Sequence, residues 1–395
     1  MKRLRVLYLT HYAELYGANR SLLDLVREGR DAGAVEPFVV LAYDGPLRTE
    51  LERAGIAHAI VPFVPWMHKR VLMGRPHHRL LQRMRYRRQA RERERTNRIQ
   101  QAVIEGLALQ HRAHVIHSNS AVIGVGAAVA GRLGLPHVWH IRELPFLHYG
   151  FSVDGGVRRY AEALRKANAI IALSQAVVDD MRTFAPAAER VAVIPNGVVS
   201  EQDLKERRQG GTTRWEHLED FNFLLAGLFH PAKGQEEAVQ AFALVHAQNP
   251  RTALYLAGDG RTEKVRAAVE ALGISSAVHF IGFVPDLGPV LEKTHALLQC
   301  SRHEALGRIV LEAKVAGVPI IGHASGATPE LIDHERNGLL YTTTDDLVER
   351  MSALVGDPDL AHRLGEAGRT EVPGRYTIEA MTGAVLATYQ RVSAP

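Results

Sequence analysis

The chain has 395 residues, 46% of them hydrophobic and 23% charged, which is long for one hydrophobic core and natural for two soluble domains. A single cysteine, Cys300, excludes an intrachain disulfide and a cysteine-based zinc site, and favours a reducing, cytosolic setting. The formal charge of +5 is uneven: Lys69 to Arg98 holds 12 Lys/Arg against 2 Asp/Glu, so the basic character belongs to that one segment.

In chain order the pattern is strand, glycine-marked loop, helix, repeated. The start, "MKRLRVLYLT", is basic, but its apolar run from Val6 to Leu9 is too short for a secretory signal and reads as a first strand. The loop "HYAELYGANR" follows, then "SLLDLVREGRDAG" with helical spacing at Leu22, Leu25 and Val26 and a glycine stop. "PFVVLA" (37–42), "HVIHS" (114–118), "PHVWHI" (136–141), "AIIALS" (169–174) and "RVAVIP" (190–195) are further predicted strands. The longest small, apolar stretch, 121–131, is far below the length of a bilayer-spanning helix. Residues 199–220 lack apolar periodicity and contain Gly-Gly, so they read as a linker or insertion. The alternation restarts with "FNFLLAG" (221–227), "ALYLAG" (253–258), "AVHFIG" (277–282), "HALLQC" (295–300) and "VPIIG" (318–322), and the tail from Asp345 reads as helical.

Short buried strands alternating with helices predict parallel sheets covered on both faces. The expected architecture is α/β: a first domain over 1–198, the 199–220 linker, a second domain over 221–375, and a final helix over 376–395 returning to the first domain. Ligands of open α/β sheets sit beyond the carboxyl ends of the strands, so "GLFHPAKG", "AGDG" and "CSRHEALG" are expected to converge on one cleft.

In "HEALGRIVLEAKVAGVP" (303–319), Glu304 and Glu312 stand in a largely apolar run, where a carboxylate is costly unless something binds it. With a helix beginning near Gly307, the first-turn amides, about Leu306 to Ile309, form an anion site. The two carboxylates would then be at most roughly 12 Å apart, too far to share a proton. That spacing suits a ligand with hydroxylated groups at its ends and an anion between them, such as a sugar diphosphonucleoside. Lys233, between a strand and a helix, can reach a phosphate as a point charge, although a Lys-Gly pair also simply opens helices.

These residues resemble a known signature. Glu304, seven residues, Glu312, then Ala313 and "AGVPII" is similar to the motif of glycosyltransferase family 4, retaining enzymes of the GT-B fold with two Rossmann-like domains facing across a cleft. "GLFHPAKG" (227–234), "AGDG" (257–260), "FIGFV" (280–284), "GATPELI" (326–332), "NGLL" (337–340) and, less specifically, "YGANRSLLDL" (16–25) and "VIPNGV" (193–198) extend the resemblance. It implies that Glu312 holds the ribose and Glu304 the sugar hydroxyls. It also implies that Leu306, Gly307, Arg308, Ile309 and Lys233 hold the pyrophosphate, that Val284 lies by the base, and that Gly17 lets the N-terminal loop approach the phosphates. His140, at the end of "PHVWHI", is the implied catalytic partner of Glu304 toward the sugar; His11, His117 and Asn119 are candidates for the acceptor pocket. One departure stands out. The family commonly has arginine after the glycine at Gly227, where this chain has Leu228, and Arg308 and Arg302 are the candidates to substitute.

The expected activity is retaining, metal-independent transfer from a nucleotide sugar, UDP-sugar before GDP-sugar, with no cofactor and with no nucleic acid partner. The acceptor would be a sugar or lipid-linked glycan. A nucleotide-sugar 2-epimerase, a sugar phosphorylase and a noncatalytic binding protein are the alternatives on this fold. In 66–98, arginines interleave with Trp66, Met67, Val71, Leu72, Met73, Leu80, Leu81, Met84 and Tyr86. That segment reads either as an anionic-membrane contact on the cytoplasmic face or as a solvated helix whose Arg stems cover apolar surface.

Overall fold

The apolar runs form strands at the centre of two parallel sheets. The structure is a computed structural model describing residues 3–147, 150–185, 190–209 and 220–393. It divides into two units, residues 1–197 with 378–395, and residues 198–377.

The first unit carries β1 (Leu4–Thr10), β2 (Val35–Leu41), β3 (Ala57–Ile60), β4 (Met67–Lys69), β5 (Val115–Ser118), β6 (His137–Ile141), β7 (Phe151–Val153), β8 (Ala169–Ala172) and β9 (Val191–Val193). Seven of these form a sheet in the order β3-β2-β1-β5-β6-β8-β9, while β4 and β7 pair as a separate antiparallel ribbon. β1 is buried without interruption from Val6 to Thr10, as a central strand covered on both faces requires. It runs parallel to β2 (Val6 opposite Pro37) and to β5 (Val6 opposite Val115). The helix Gly17–Asp31 buries Leu22, Leu25, Val26 and Gly29, a stripe of helical period. The last helix, Ile378–Ser393, completes the same core with Met381, Val385 and Tyr389.

The second unit carries β10 (Phe221–Ala226), β11 (Thr252–Ala257), β12 (Val278–Gly282), β13 (Ala296–Gln299), β14 (Ile320–His323) and β15 (Leu339–Tyr341). Their order is β12-β11-β10-β13-β14-β15, all parallel. This is the doubly wound order in which the direction of winding reverses between the first and fourth strands, here β10 and β13.

Three expectations change. The 199–220 stretch is not plain linker: Val199 bridges Thr377, and Glu201–Gln209 is helical with Leu204 buried; 210–219 lies outside the described residues. Trp66 and Met67 belong to the core rather than to an exposed basic surface, because Trp66 packs tilted against Trp139 and edge-on to Tyr160. Finally β3, on the sheet edge and partly exposed, has too weak an apolar pattern to read as a strand.

Candidate functional site

The two glutamates lie at the carboxyl edge of the second sheet, at its switch point. The loop after β10 supplies Lys233 and the loop after β13 supplies Glu304, and Lys233 Nζ donates to Glu304 Oε2 at 2.5 Å. Glycines set this approach. Lys233 ends a single 3₁₀ turn, Pro231–Lys233, in which the Ala232 amide donates to the His230 side chain; Gly234 follows with φ 72°. A side chain at Gly234 would collide with the Cys300 carbonyl, so glycine lets the first loop lie on the end of β13.

Glu304 is held from the other side by the loop after β14. The Ala327 amide donates to the Glu304 carbonyl at 2.8 Å, and the His303 amide donates to Ser325 Oγ at 3.1 Å. Between them Gly326, at φ 59°, leaves space for the Glu304 backbone: a Cβ there would stand 2.5 Å from its carbonyl oxygen. His303 itself takes φ 57°, uncommon for a residue with a side chain and a sign of a tightly determined loop.

The helix predicted near Gly307 runs over Arg308–Ala316, with Gly307 in the left-handed region and no side-chain cap. Its first amides therefore have no acceptor within the helix, apart from Val310, which donates to the Gly307 carbonyl at 3.0 Å. Glu312 lies one turn in, and Arg308 Nε donates to Glu312 Oε1 at 2.9 Å, both side chains mostly covered. The four charged groups thus form two cation–carboxylate pairs flanking the start of this helix. Leu306 and Ala305 are buried beneath them.

The loops after β11 and β12 extend this edge. Gly258 passes against the Gly227 carbonyl, and the Phe229 amide donates to the Asp259 carbonyl at 2.7 Å. Val284, half-buried, lies just beyond β12. Leu228 is 47% exposed at the position where the family commonly has arginine. Of its two candidate substitutes, Arg308 is in the site. Arg302 turns to Glu237, 3.4 Å away on the flank.

In the first unit the candidates also gather at strand ends. His140 is fully buried on β6, with Nδ1 3.3 Å from Arg142 Nη2 and Nε2 without a hydrogen-bond partner among the described residues. Burial and the Arg142 charge hold it well below the usual imidazole range, so it is neutral. The surface exposure expected of a catalytic histidine is missing here. His117 is equally buried beside it, ring centroids 5.5 Å apart, with Nδ1 2.8 Å from the Tyr389 hydroxyl. Burial also lowers His117 well below its ordinary value, and lowers His11 to about 4.

Arg142, which the strand pattern does not single out, organises this end of the sheet. Its guanidinium donates to Asn119 Oδ1 at 2.5 Å and to Asn196 Oδ1 at 2.8 Å. Gly17 is the first residue of its helix with ordinary helical backbone, so no left-handed conformation requires glycine there. Tyr389 and Tyr8 also escape the sequence reading: a tyrosine in a tail helix and one inside a strand carry no sign of meeting His117.

Two family models match the chain, "Glycosyl transferase 4-like domain" over residues 16–197 and "Glycosyl transferases group 1" over residues 214–371. The lipopolysaccharide core biosynthesis glycosyltransferase LpsE of Rhizobium meliloti is 29% identical over 163 residues, 40% of this chain and 47% of that protein. The alpha-maltose-1-phosphate synthase of Mycolicibacterium smegmatis is 27% identical over 325 residues, 71% of this chain and 80% of that protein. Among solved structures, Anabaena HepE in complex with UDP and glucose superposes with a TM-score of 0.78 at 22% identity, covering 98% of this chain and all of that one. With one doubly wound unit under each model, the chain belongs to the GT4-type glycosyltransferases of the GT-B fold.

Proposed function

We propose that the protein is a retaining, metal-independent glycosyltransferase that takes a sugar from a UDP-sugar, with GDP-sugar the next choice, and passes it to a lipid-linked or cell-envelope glycan on the cytoplasmic side of a membrane. The observation that carries the donor site is the Lys233–Glu304 contact across the switch point, beside the start of the Arg308–Ala316 helix. UDP bound to HepE and the lipopolysaccharide role in the name of LpsE favour this donor and this acceptor class.

In this reading the pyrophosphate takes the amides of Leu306 to Ile309 together with Lys233 and Arg308. An anion entering there draws both cations from their carboxylates. Glu312 is then freed for the ribose hydroxyls and Glu304 for the sugar, with Val284 beside the base. Leaving-group charge meets donors already in place, which is how such sites lower a barrier. The departing phosphate takes the acceptor proton as the new bond forms on the same face, and no protein base is required.

Thermal stabilisation by UDP, GDP, ADP and their sugar conjugates, on wild type and Glu312→Ala, tests the reading. UDP at a hundredfold excess over its dissociation constant should add about 2.7 kcal/mol of stability. The gain should vanish in Glu312→Ala. No shift with any nucleotide at millimolar concentration would overturn the donor site.

A further inference from the structure

The helix Pro76–Gln110 is 35 residues long, and its two halves have different surroundings. The second half is seated. Arg93 donates to the Asp154 carboxylate at 2.7 and 2.9 Å, Asn97 exchanges two hydrogen bonds with the Val64 backbone, and Ile104 and Ala108 are buried. The first half touches mainly its own preceding loop. The Tyr86 hydroxyl lies 3.1 Å from both the amide and the carbonyl of Val71, and Gln82 Oε1 accepts from the Met73 amide at 2.9 Å.

These contacts define an inner side. At about 100° per residue, Gln82, Tyr86, Arg93 and Asn97 share it. The opposite side is then fixed by the same geometry. It presents Leu80, Leu81 and Met84 near the tip, followed by Arg87, Arg88, Arg91 and Arg95. The three apolar side chains are 58%, 61% and 59% exposed, with Met73 of the adjoining loop at 67%. Arg88 pairs with Glu92, whereas Arg87, Arg91 and Arg95 make no ion pair among the described residues. Apolar tip and basic row lie on one side of the helix over roughly 23 Å.

We propose that this face docks on the surface of an anionic lipid bilayer. Leu80, Leu81 and Met84 enter the boundary between headgroups and acyl chains, and Arg87, Arg88, Arg91 and Arg95 lie against lipid phosphates. The order of residues selects this occupant. A nucleic acid would satisfy the arginines but leaves the apolar tip in water, and the one aromatic nearby, Tyr86, is turned inward for Val71 rather than available to stack on bases. A second copy of the same face would bring like charges together. The proposal stands apart from the donor site and does not depend on it.

Co-sedimentation with vesicles of phosphatidylcholine, with and without phosphatidylglycerol, tests it on the full chain. Wild type should bind the anionic vesicles and not the neutral ones. Arg87→Glu with Arg88→Glu and Arg91→Glu should lower that affinity roughly a hundredfold or more. Leu80→Ser with Leu81→Ser and Met84→Ser should bind at low salt and detach at high salt, where wild type is retained. All these positions are exposed, and unchanged thermal melts and UDP response show that the variants are folded. Because the only native cysteine, Cys300, is buried, Met84→Cys can carry a polarity-sensitive fluorophore, whose emission should shift to the blue on anionic vesicles. Absence of binding to anionic vesicles, equal binding to both kinds, variants that bind like wild type, or an unshifted label would each overturn the proposal. Binding of a polyuridine oligonucleotide with vesicles ignored would overturn it in favour of RNA.

Discussion

Lys233 and Glu304 meet at 2.5 Å from loops on opposite sides of a switch point, with side-chain exposures of 21% and 16%. Removing one partner of a pair this largely covered leaves a carboxylate without its counter-charge. Lys233→Ala should therefore lower the melting temperature and weaken UDP on the order of 10- to 100-fold, as loss of a charge-assisted hydrogen bond does. Calorimetric titration reads this, and unaltered UDP affinity would remove Lys233 from the site. Gly326 and Gly273 make a matched pair for a second prediction. Both have left-handed backbone, φ 59° and 70°, but a Cβ at Gly326 would press on the Glu304 backbone whereas one at Gly273 meets nothing within 4 Å. Each alanine should cost about 1–2 kcal/mol for its backbone. Only Gly326→Ala should cost more in denaturant melts and also weaken UDP. Equal effects of the two would mean that the Glu304 loop does not rely on that space.

Among the elements, the apolar runs that lie centrally in either sheet were legible, from "LRVLYLT" to "VPIIG", because strands buried on both faces need no alternation to betray them. Glu304, Lys233 and the helix start at Gly307 were legible for a related reason: charges and glycines in an apolar context have few structural uses. What escaped were pairings between distant segments, such as β4 with β7, and the particular side chains that the expected returning helix, Ile378–Ser393, would meet in the first unit. Its Tyr389 hydroxyl is 3.3 Å from that of Tyr8 and 2.8 Å from His117 Nδ1, all buried. Tyr389→Phe strips His117 of that partner and should destabilise the first unit by about 1–3 kcal/mol without any change in exposed area. A denaturant midpoint equal to wild type would show that the hydroxyl is dispensable.

Over the whole molecule, the 20 histidines include a buried set in the first unit whose titration should dominate the response to acid. Burial lowers His11 to about 4 and His137 to about 3, and puts His117 and His140 well below their ordinary value. Each is neutral when folded and free to take a proton when unfolded. The stability they lend is therefore full above about pH 6.5 and is lost as pH falls toward 4, at up to about 1.4 kcal/mol per pH unit for each. Asp180, raised to about 6 by burial, works the other way: it binds its proton more tightly when folded and so favours the folded state as the medium acidifies. Buried Glu143 and partly buried Glu28, also raised, work the same way as Asp180, but the lowered histidines outnumber them, so unfolding free energy should fall between pH 6.5 and pH 5. A flat profile in urea titrations across that range would contradict the burial of these rings. The path of the backbone has a further consequence. The second unit is one unbroken stretch, 198–377, set inside the first, whose core needs Met381, Val385 and Tyr389. On a ribosome, then, the half that is synthesised first is the half completed last: its sheet must wait, with part of its apolar face unsealed, until the helix Ile378–Ser393 emerges.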